Sequence, residues 1–210
     1  MCYNESNKCK YVIFTFIGGN SVKGKLFILS GPSGVGKGTV REAILADSKV
    51  NLTYSISMTT RQPRAGELDG VHYYFVSREY FENAIKNDEF LEYAQFVGNY
   101  YGTPKKVVDK LLDQGINVLL EIEVQGAKQV MAKCRDAITI FMVPPCFEEL
   151  EKRIRGRRSE PEDIVQQRLS KARSEMELRK NYKYVVTNDT VKNASQAIID
   201  IITGVSSKQD

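Results

Sequence analysis

An apolar run, Leu26 to Leu29, stops at a glycine-rich turn, Gly31-Pro-Ser-Gly-Val-Gly-Lys37, and the pattern after it predicts a helix from about Lys37 to Leu45. Unbroken apolar character predicts a strand near 25–30 buried on both faces. Tyr54 to Met58 is β-like, residues 61–70 are turn-rich, and Val71 to Val76 alternates like a short strand. Ser77 to Ile85 reads as a capped helix with Tyr80, Phe81, Ala84 and Ile85 on its apolar side, and Phe90 to Val97 is extended. A helix is expected from about Pro104 to Gln114, then a buried strand, Asn117 to Ile122, ending in acids. Ala137 to Val143 is another core strand, closed by Pro144-Pro145. Helical patterns occupy about 147–156 and 162–180, Tyr184 to Thr187 is the last strand, and a closing helix covers about 190–203. Alternating strands and helices predict an α/β fold whose parallel sheet is covered on both faces, with its ligand site at the carboxyl ends of the strands. The short strands between 54 and 97 predict a small mixed subdomain.

Composition narrows the class without deciding it. With 210 residues, 42% hydrophobic and 27% charged, the chain can build one substantial core, and disordered and fibrous classes are excluded. The net charge is +4, yet residues 151–183 alone carry eleven Lys/Arg against six acids, an excess of five. Four cysteines, Cys2, Cys9, Cys134 and Cys146, lack paired C-x2-C spacing and have only His72 to join them, so no zinc site is expected and reduced thiols in a cytoplasmic protein are. The apolar stretch Tyr11 to Ile17 is too short to span a bilayer and has no convincing cleavage site, so residues 1–22 are expected to be an extension and no membrane partner is expected.

The glycine-rich turn is the strongest chemical signal. Gly31-x4-Gly36-Lys37 between strand and helix satisfies the P-loop pattern, in which backbone N–H groups cradle phosphates and the lysine reaches the β- and γ-phosphates. Gly31, Pro32, Ser33, Gly34, Val35, Gly36, Lys37, Gly38 and Thr39 are therefore the expected ATP-binding segment. Gly38 stands where a Ser or Thr normally holds Mg²⁺, and Thr39 follows, so metal ligation partly through water is expected.

Four further groups surround this signal. Arg61 and Arg64 in a proline-containing turn suit a second phosphate, because guanidinium forks bind its oxygens bidentately. Glu92, with the loop Gly98-Asn-Tyr-Tyr-Gly-Thr-Pro104, suits a base pocket: a carboxylate accepts from the N1–H and 2-amino group of guanine, whereas adenine offers an acceptor at N1. Glu121 and Glu123 close an apolar strand on one face, ahead of a Gln125-Gly126 turn, and are placed to hold Mg²⁺ directly or through water. Arg153 and Arg157 share one helix face, with Arg158 and Arg168 nearby, a cluster suited to closing over transferring phosphates. Nucleic-acid binding is disfavoured, since no aromatic residue interrupts 148–181.

Together the P-loop, Ser57-Met-Thr-Thr-Arg61-Gln-Pro-Arg64-x-Gly66-Glu67, Gly98-Asn-Tyr-Tyr-Gly102 and Glu121-Ile-Glu123-x-Gln-Gly126 resemble the guanylate kinase family in order and spacing, over about residues 24–204. The resemblance implies a three-layer P-loop core (about 23–56, 104–147 and 180–206), an inserted mixed GMP-binding subdomain (about 57–103) and a helical lid (about 148–179). It implies that Ser57, Arg61, Arg64, Tyr73, Glu92, Tyr101, Gly102 and Thr103 contact GMP, with Glu123 near metal and acceptor. It further implies that Lys37, Arg61, Arg153, Arg157 and Arg168 face phosphates, that Asn188 is an adenine-side residue, and that Thr39, Glu121 and Glu123 serve Mg²⁺. The implied reaction is MgATP + GMP to ADP + GDP, with dGMP use open, in a monomer or homodimer. Departures are Gly38, Arg158 in place of a family glycine, and Glu123 where Asp is usual. Two alternatives stay open: another P-loop kinase, for AMP, UMP or a sugar phosphate, and a non-catalytic guanylate-kinase-like module that binds phosphopeptides.

Overall fold

A computed structural model of the chain describes residues 22–96, 98–156 and 161–206. Residues 1–21 of the expected extension, together with Arg157 and Arg158, lie outside them.

Strand β1 (Leu26–Ser30) is buried along its whole length and sits at the centre of a five-stranded sheet ordered β2-β7-β1-β8-β9. The other strands are β2 (Leu52–Tyr54), β7 (Asn117–Glu121), β8 (Ile138–Val143) and β9 (Tyr184–Thr187), and every pairing is parallel. Alternation along β1 divides the core. Phe27 and Leu29 join Val40, Ile44, Ile140, Leu150 and Ile198 on one face. Leu26 and Ile28 join Val108, Leu112, Leu120 and Val130 on the other. Helices α1 (Lys37–Leu45), α5 (Phe147–Arg155), α6 (Glu162–Met176) and α7 (Val191–Ser206) supply the first face, and α3 (Lys105–Asp113) and α4 (Val124–Lys133) the second. Helices on both faces explain why these strands read as continuous apolar runs.

A second, four-stranded sheet is ordered β4-β3-β6-β5, from β3 (Met58–Thr59), β4 (Tyr74–Phe75), β5 (Phe90–Phe96) and β6 (Asn99–Pro104). Its own small core is Phe81, Ala84 and Phe90, with α2 (Arg78–Lys86) packed on it. Phe81 stacks on Phe90 at 4.3 Å and on Tyr100 at 5.2 Å between centroids. The Ser77 hydroxyl accepts from the Tyr80 N–H and caps α2, as the sequence predicts.

Four segments differ from the sequence pattern. The stretch Tyr54 to Met58 is two strands, because the chain leaves the large sheet after Tyr54 and enters the small one at Met58. Gly98 to Pro104, expected as a loop, is largely β6: antiparallel pairing with β5 and the Tyr100 ring stack hold an Asn-, Gly- and Pro-bearing segment extended. Gln125-Gly126, expected as a turn, lies in the first turn of α4, whose N-cap is Glu123. The pattern at 162–180 is α6 followed by a 3₁₀ turn, Glu177–Asn181.

Candidate active site

The phosphate loop forms because glycines supply backbone that other residues resist. Gly34 and Gly36 have φ of 86° and 98°, in the left-handed region, and Gly36 is the N-cap of α1. The loop and helix start then define an open cleft of about 480 Å³ lined by Ser33, Lys37, Thr39, Glu121, Glu123 and Glu175, among others. Lys37 Nζ donates to the carbonyls of Gly31 (2.7 Å) and Pro32 (3.1 Å). Burial pulls the Lys37 pKa down, and Glu121, Glu175 and Glu123 push it back up.

The acids that follow β7 form the opposite wall, each with a cation. Glu121 Oε2 accepts from Arg41 Nη1 at 2.8 Å, and Arg41 lies over the Tyr54 ring at 4.6 Å. Glu123 Oε2 accepts from Lys171 Nζ at 3.1 Å, and Lys171 is also 3.7 Å from Glu175. Burial raises the Glu175 pKa, and among the described residues its Oε2 has no hydrogen-bond partner. Arg168, on the same helix, donates from Nη2 to Ser33 Oγ at 3.5 Å, so α6 reaches the phosphate loop.

On the small sheet the predicted acceptor residues form two groups. Arg61, Tyr73 and Tyr101 cluster: the two tyrosine rings meet edge to face at 6.1 Å, and Arg61 lies over Tyr73 at 5.5 Å. Glu67 receives both Arg61 terminal nitrogens at 2.9 Å and the Arg64 N–H at 2.7 Å. These hydrogen bonds hold the Glu67 pKa down to about 2. Arg64 itself is exposed, and Ser57 sits between β2 and β3, its carbonyl accepting from the Tyr74 N–H.

Glu92 and Thr103 are the second group. They are paired across β5 and β6 next to a register shift between Phe90 and Glu92, an irregularity that re-aims side chains. Glu92 is only 6% exposed, and the Thr103 hydroxyl donates to its Oε1 at 2.6 Å. Burial raises its pKa, and hydrogen bonds from Thr103 oppose the shift. Gly102 has no room for a side chain: a Cβ would stand 3.0 Å from Phe81 and Phe90 ring atoms.

A family model described as guanylate kinase matches residues 23–204. The chain belongs to the guanylate kinase family. Guanylate kinases transfer a phosphoryl group from ATP to GMP, giving ADP and GDP. A guanylate kinase of Latilactobacillus sakei is 55% identical over 182 residues, covering 87% of this chain and 90% of the relative. One from Mesoplasma florum is 54% identical over 180 residues, covering 86% of this chain but 61% of that longer protein. The crystal structure of guanylate kinase from Anaplasma phagocytophilum matches with a TM-score of 0.70 at 34% identity, over 88% of this chain and 87% of that one.

Within this guanylate kinase fold, Arg153 and Asn188 occupy the far side of the phosphate loop. Asn188 Nδ2 donates to the Val35 carbonyl at 2.7 Å, and Arg153 donates to the same carbonyl (3.3 Å) and to the Asn188 carbonyl (3.2 Å). Gly34, Gly36 and Thr39 line both the main cleft and a second one beside Arg153 and Asn188. Arg41, Glu67, Lys171 and Glu175 were not legible as site residues. A helical-spacing signal existed for two of the pairs, Lys37 with Arg41 and Lys171 with Glu175, each i and i+4. Among the described residues no helix is long and apolar enough to cross a membrane.

Proposed function

We infer that this chain performs the family reaction by in-line transfer of the γ-phosphoryl group of ATP to a phosphate oxygen of GMP. One observation carries the reading: a single β7–α4 connection serves both groups of residues, with Glu121 and Glu123 lining the phosphate-loop cleft and Gly126, in the first turn of α4, facing the Glu92 side chain. Donor and acceptor bound on the two groups would meet beside this connection.

The acceptor is already anionic, so the residues' work is alignment and charge neutralisation, not proton removal. Lys37 would leave its two carbonyls for the β- and γ-phosphates, and Arg168 would move from Ser33 to the same oxygens. Arg61 and Arg64 would hold the GMP phosphate, with the Tyr73 and Tyr101 hydroxyls beside it. Glu92, set by Thr103, would accept from the guanine N1–H and 2-amino group. Arg153 and Asn188 would keep the loop in its phosphate-ready shape. In this reading residues 57–103 form the acceptor-binding part and the helical segment 148–179 supplies Arg168; Arg157 lies outside the described residues.

The residues fit a magnesium ion that keeps most of its water. Among the described residues no three His, Cys, Asp or Glu side chains converge, but Thr39, Glu121 and Glu123 put hard oxygen atoms on the cleft wall, two of them already bearing cations. Bound there with ATP, Mg²⁺ would neutralise charge on the β- and γ-oxygens.

A coupled ADP-release assay over GMP, dGMP, AMP and UMP tests this reading. GMP is expected to be the fastest ribonucleotide acceptor; faster turnover of AMP would overturn the guanine assignment.

A further inference from the structure

One helix face of α4 is given over to β5, and Glu92 lies in the middle of that contact. Gly126, Gln129 and Lys133 fall at i, i+3 and i+7, on one side of the helix. Gln129 exchanges hydrogen bonds with the Tyr93 main chain, accepting from its N–H at 3.2 Å and donating to its carbonyl at 2.9 Å. Lys133 donates to the Phe90 carbonyl at 2.8 Å and to Asp88 at 2.8 Å. These bonds fix the spacing of helix and strand on both sides of position 92.

Gly126 is the residue that faces Glu92 across this fixed gap. A Cβ at 126 would stand 2.5 Å from Glu92 Oε2, 3.1 Å from Cδ and 3.4 Å from Cγ. Glycine inside a helix is less favourable than alanine, so a buried one there calls for a packing reason, and the three nearest atoms a Cβ would meet all belong to the Glu92 side chain.

We propose that Gly126 is a positioning residue for acceptor specificity: its missing Cβ sets how deeply the Glu92 carboxylate can lie against α4, and hence where that carboxylate meets the base. The inference rests on the reading of Glu92 as the guanine acceptor. With the backbones tied by Gln129 and Lys133, an added methyl is accommodated by the end of the Glu92 side chain. That movement works against the 2.6 Å bond from Thr103. The carboxylate then loses its alignment with two donors at once, while the fold loses little.

The test uses four full-length chains beside the parent: Gly126→Ala, Glu92→Asp, the double variant, and Glu92→Gln. Steady-state assays give KM for GMP, KM for ATP, kcat, and the preference for GMP over AMP; thermal melts report the fold. Gly126→Ala is expected to raise KM for GMP by about tenfold or more and to erode the GMP preference, the scale of losing a hydrogen bond to a charged group. KM for ATP and the melting temperature should stay near the parent's. A purely structural role would instead lower the melting temperature without changing acceptor choice. Glu92→Asp shortens the acid by one methylene, so it should impair the parent but restore GMP affinity several-fold in the Gly126→Ala background. An unchanged KM for GMP in Gly126→Ala, an equal loss for both nucleotides, or no rescue in the double variant overturns the proposal. If Gly126→Ala does not fold, the double variant should; failure of both to fold also overturns it. Glu92→Gln separates the two levels, since an unchanged GMP preference there rejects the reading of Glu92 itself.

Discussion

Arg61 meets Glu67 through two parallel hydrogen bonds of 2.9 Å, while its guanidinium plane lies over Tyr73. On the proposed reading, the GMP phosphate would meet an arginine whose direction is already set, so little side-chain freedom would remain to be lost on binding. Glu67→Gln should raise KM for GMP several-fold, and Arg61→Ala about tenfold or more, with KM for ATP unchanged in both. Equal effects on both substrates would place the pair outside the acceptor site.

The same pair sets an acid-range dependence of stability. Glu67 is held at about 2 in the fold, below its ordinary 4.5. Its folded value is depressed, so its contribution is present above about pH 4.5 and lost as pH falls toward about 2. Melts of the parent and Glu67→Gln should converge as pH falls through that window.

Glu92 runs the other way. Burial raises its pKa above the ordinary 4.5, so the folded state holds the proton more tightly and the group's stabilising effect fades as pH rises past that value. Glu92→Gln removes this dependence. Its melting temperature relative to the parent should improve as pH rises above the ordinary 4.5, even as GMP turnover falls. A Glu92→Gln melting temperature that falls relative to the parent's as pH rises would contradict the burial argument.

Lys37→Ala should lower kcat by about 10²- to 10³-fold, the scale seen when a charge-stabilising donor is removed, with the fold intact by circular dichroism. Near-parent turnover would remove Lys37 from the chemistry.

Among the described residues, Asn188→Ala leaves the buried Val35 carbonyl only the 3.3 Å bond from Arg153. A cost of about 1–2 kcal/mol follows, or roughly 2–8 °C in melting temperature for a chain of this size. Because Arg153 shares that carbonyl, the double substitution should depart from additivity by about 0.5 kcal/mol or more. Strict additivity would show that the two side chains brace the loop independently.

Much of the fold was legible wherever local signals were strong. The continuous apolar strands, the phosphate loop with its helix at Lys37–Leu45, the Ser77 cap and the last strand at Tyr184–Thr187 all lie where the pattern places them. Strand β6 was not legible, because its Asn, Gly and Pro are loop-forming residues held extended only by β5 and the Phe81–Tyr100 stack. Helix α4 was hidden for a similar reason, its Gly126 answering to Glu92 and not to helix propensity. At the site, residue types indicated phosphate, base and metal chemistry. Of the partners that orient them, Lys171 for Glu123 and Arg41 for Glu121 come from contacts 48 and 80 residues apart in sequence, while Glu67 for Arg61 depends on the fold of a local turn that has no regular spacing.

Strand β1, which carries the phosphate loop, has neighbours only from far along the chain: Leu26 pairs with Val118 and Phe27 with Ile138. A growing or truncated chain that stops just before Ile138 has made the loop and β7 but lacks β8, the other strand that flanks β1. Such long-range parallel pairing is slow to form and leaves apolar edges exposed meanwhile. The segment that handles phosphate is thus among the earliest to be synthesised and among the latest to take shape, so fragments of this protein should have no partial activity to lose.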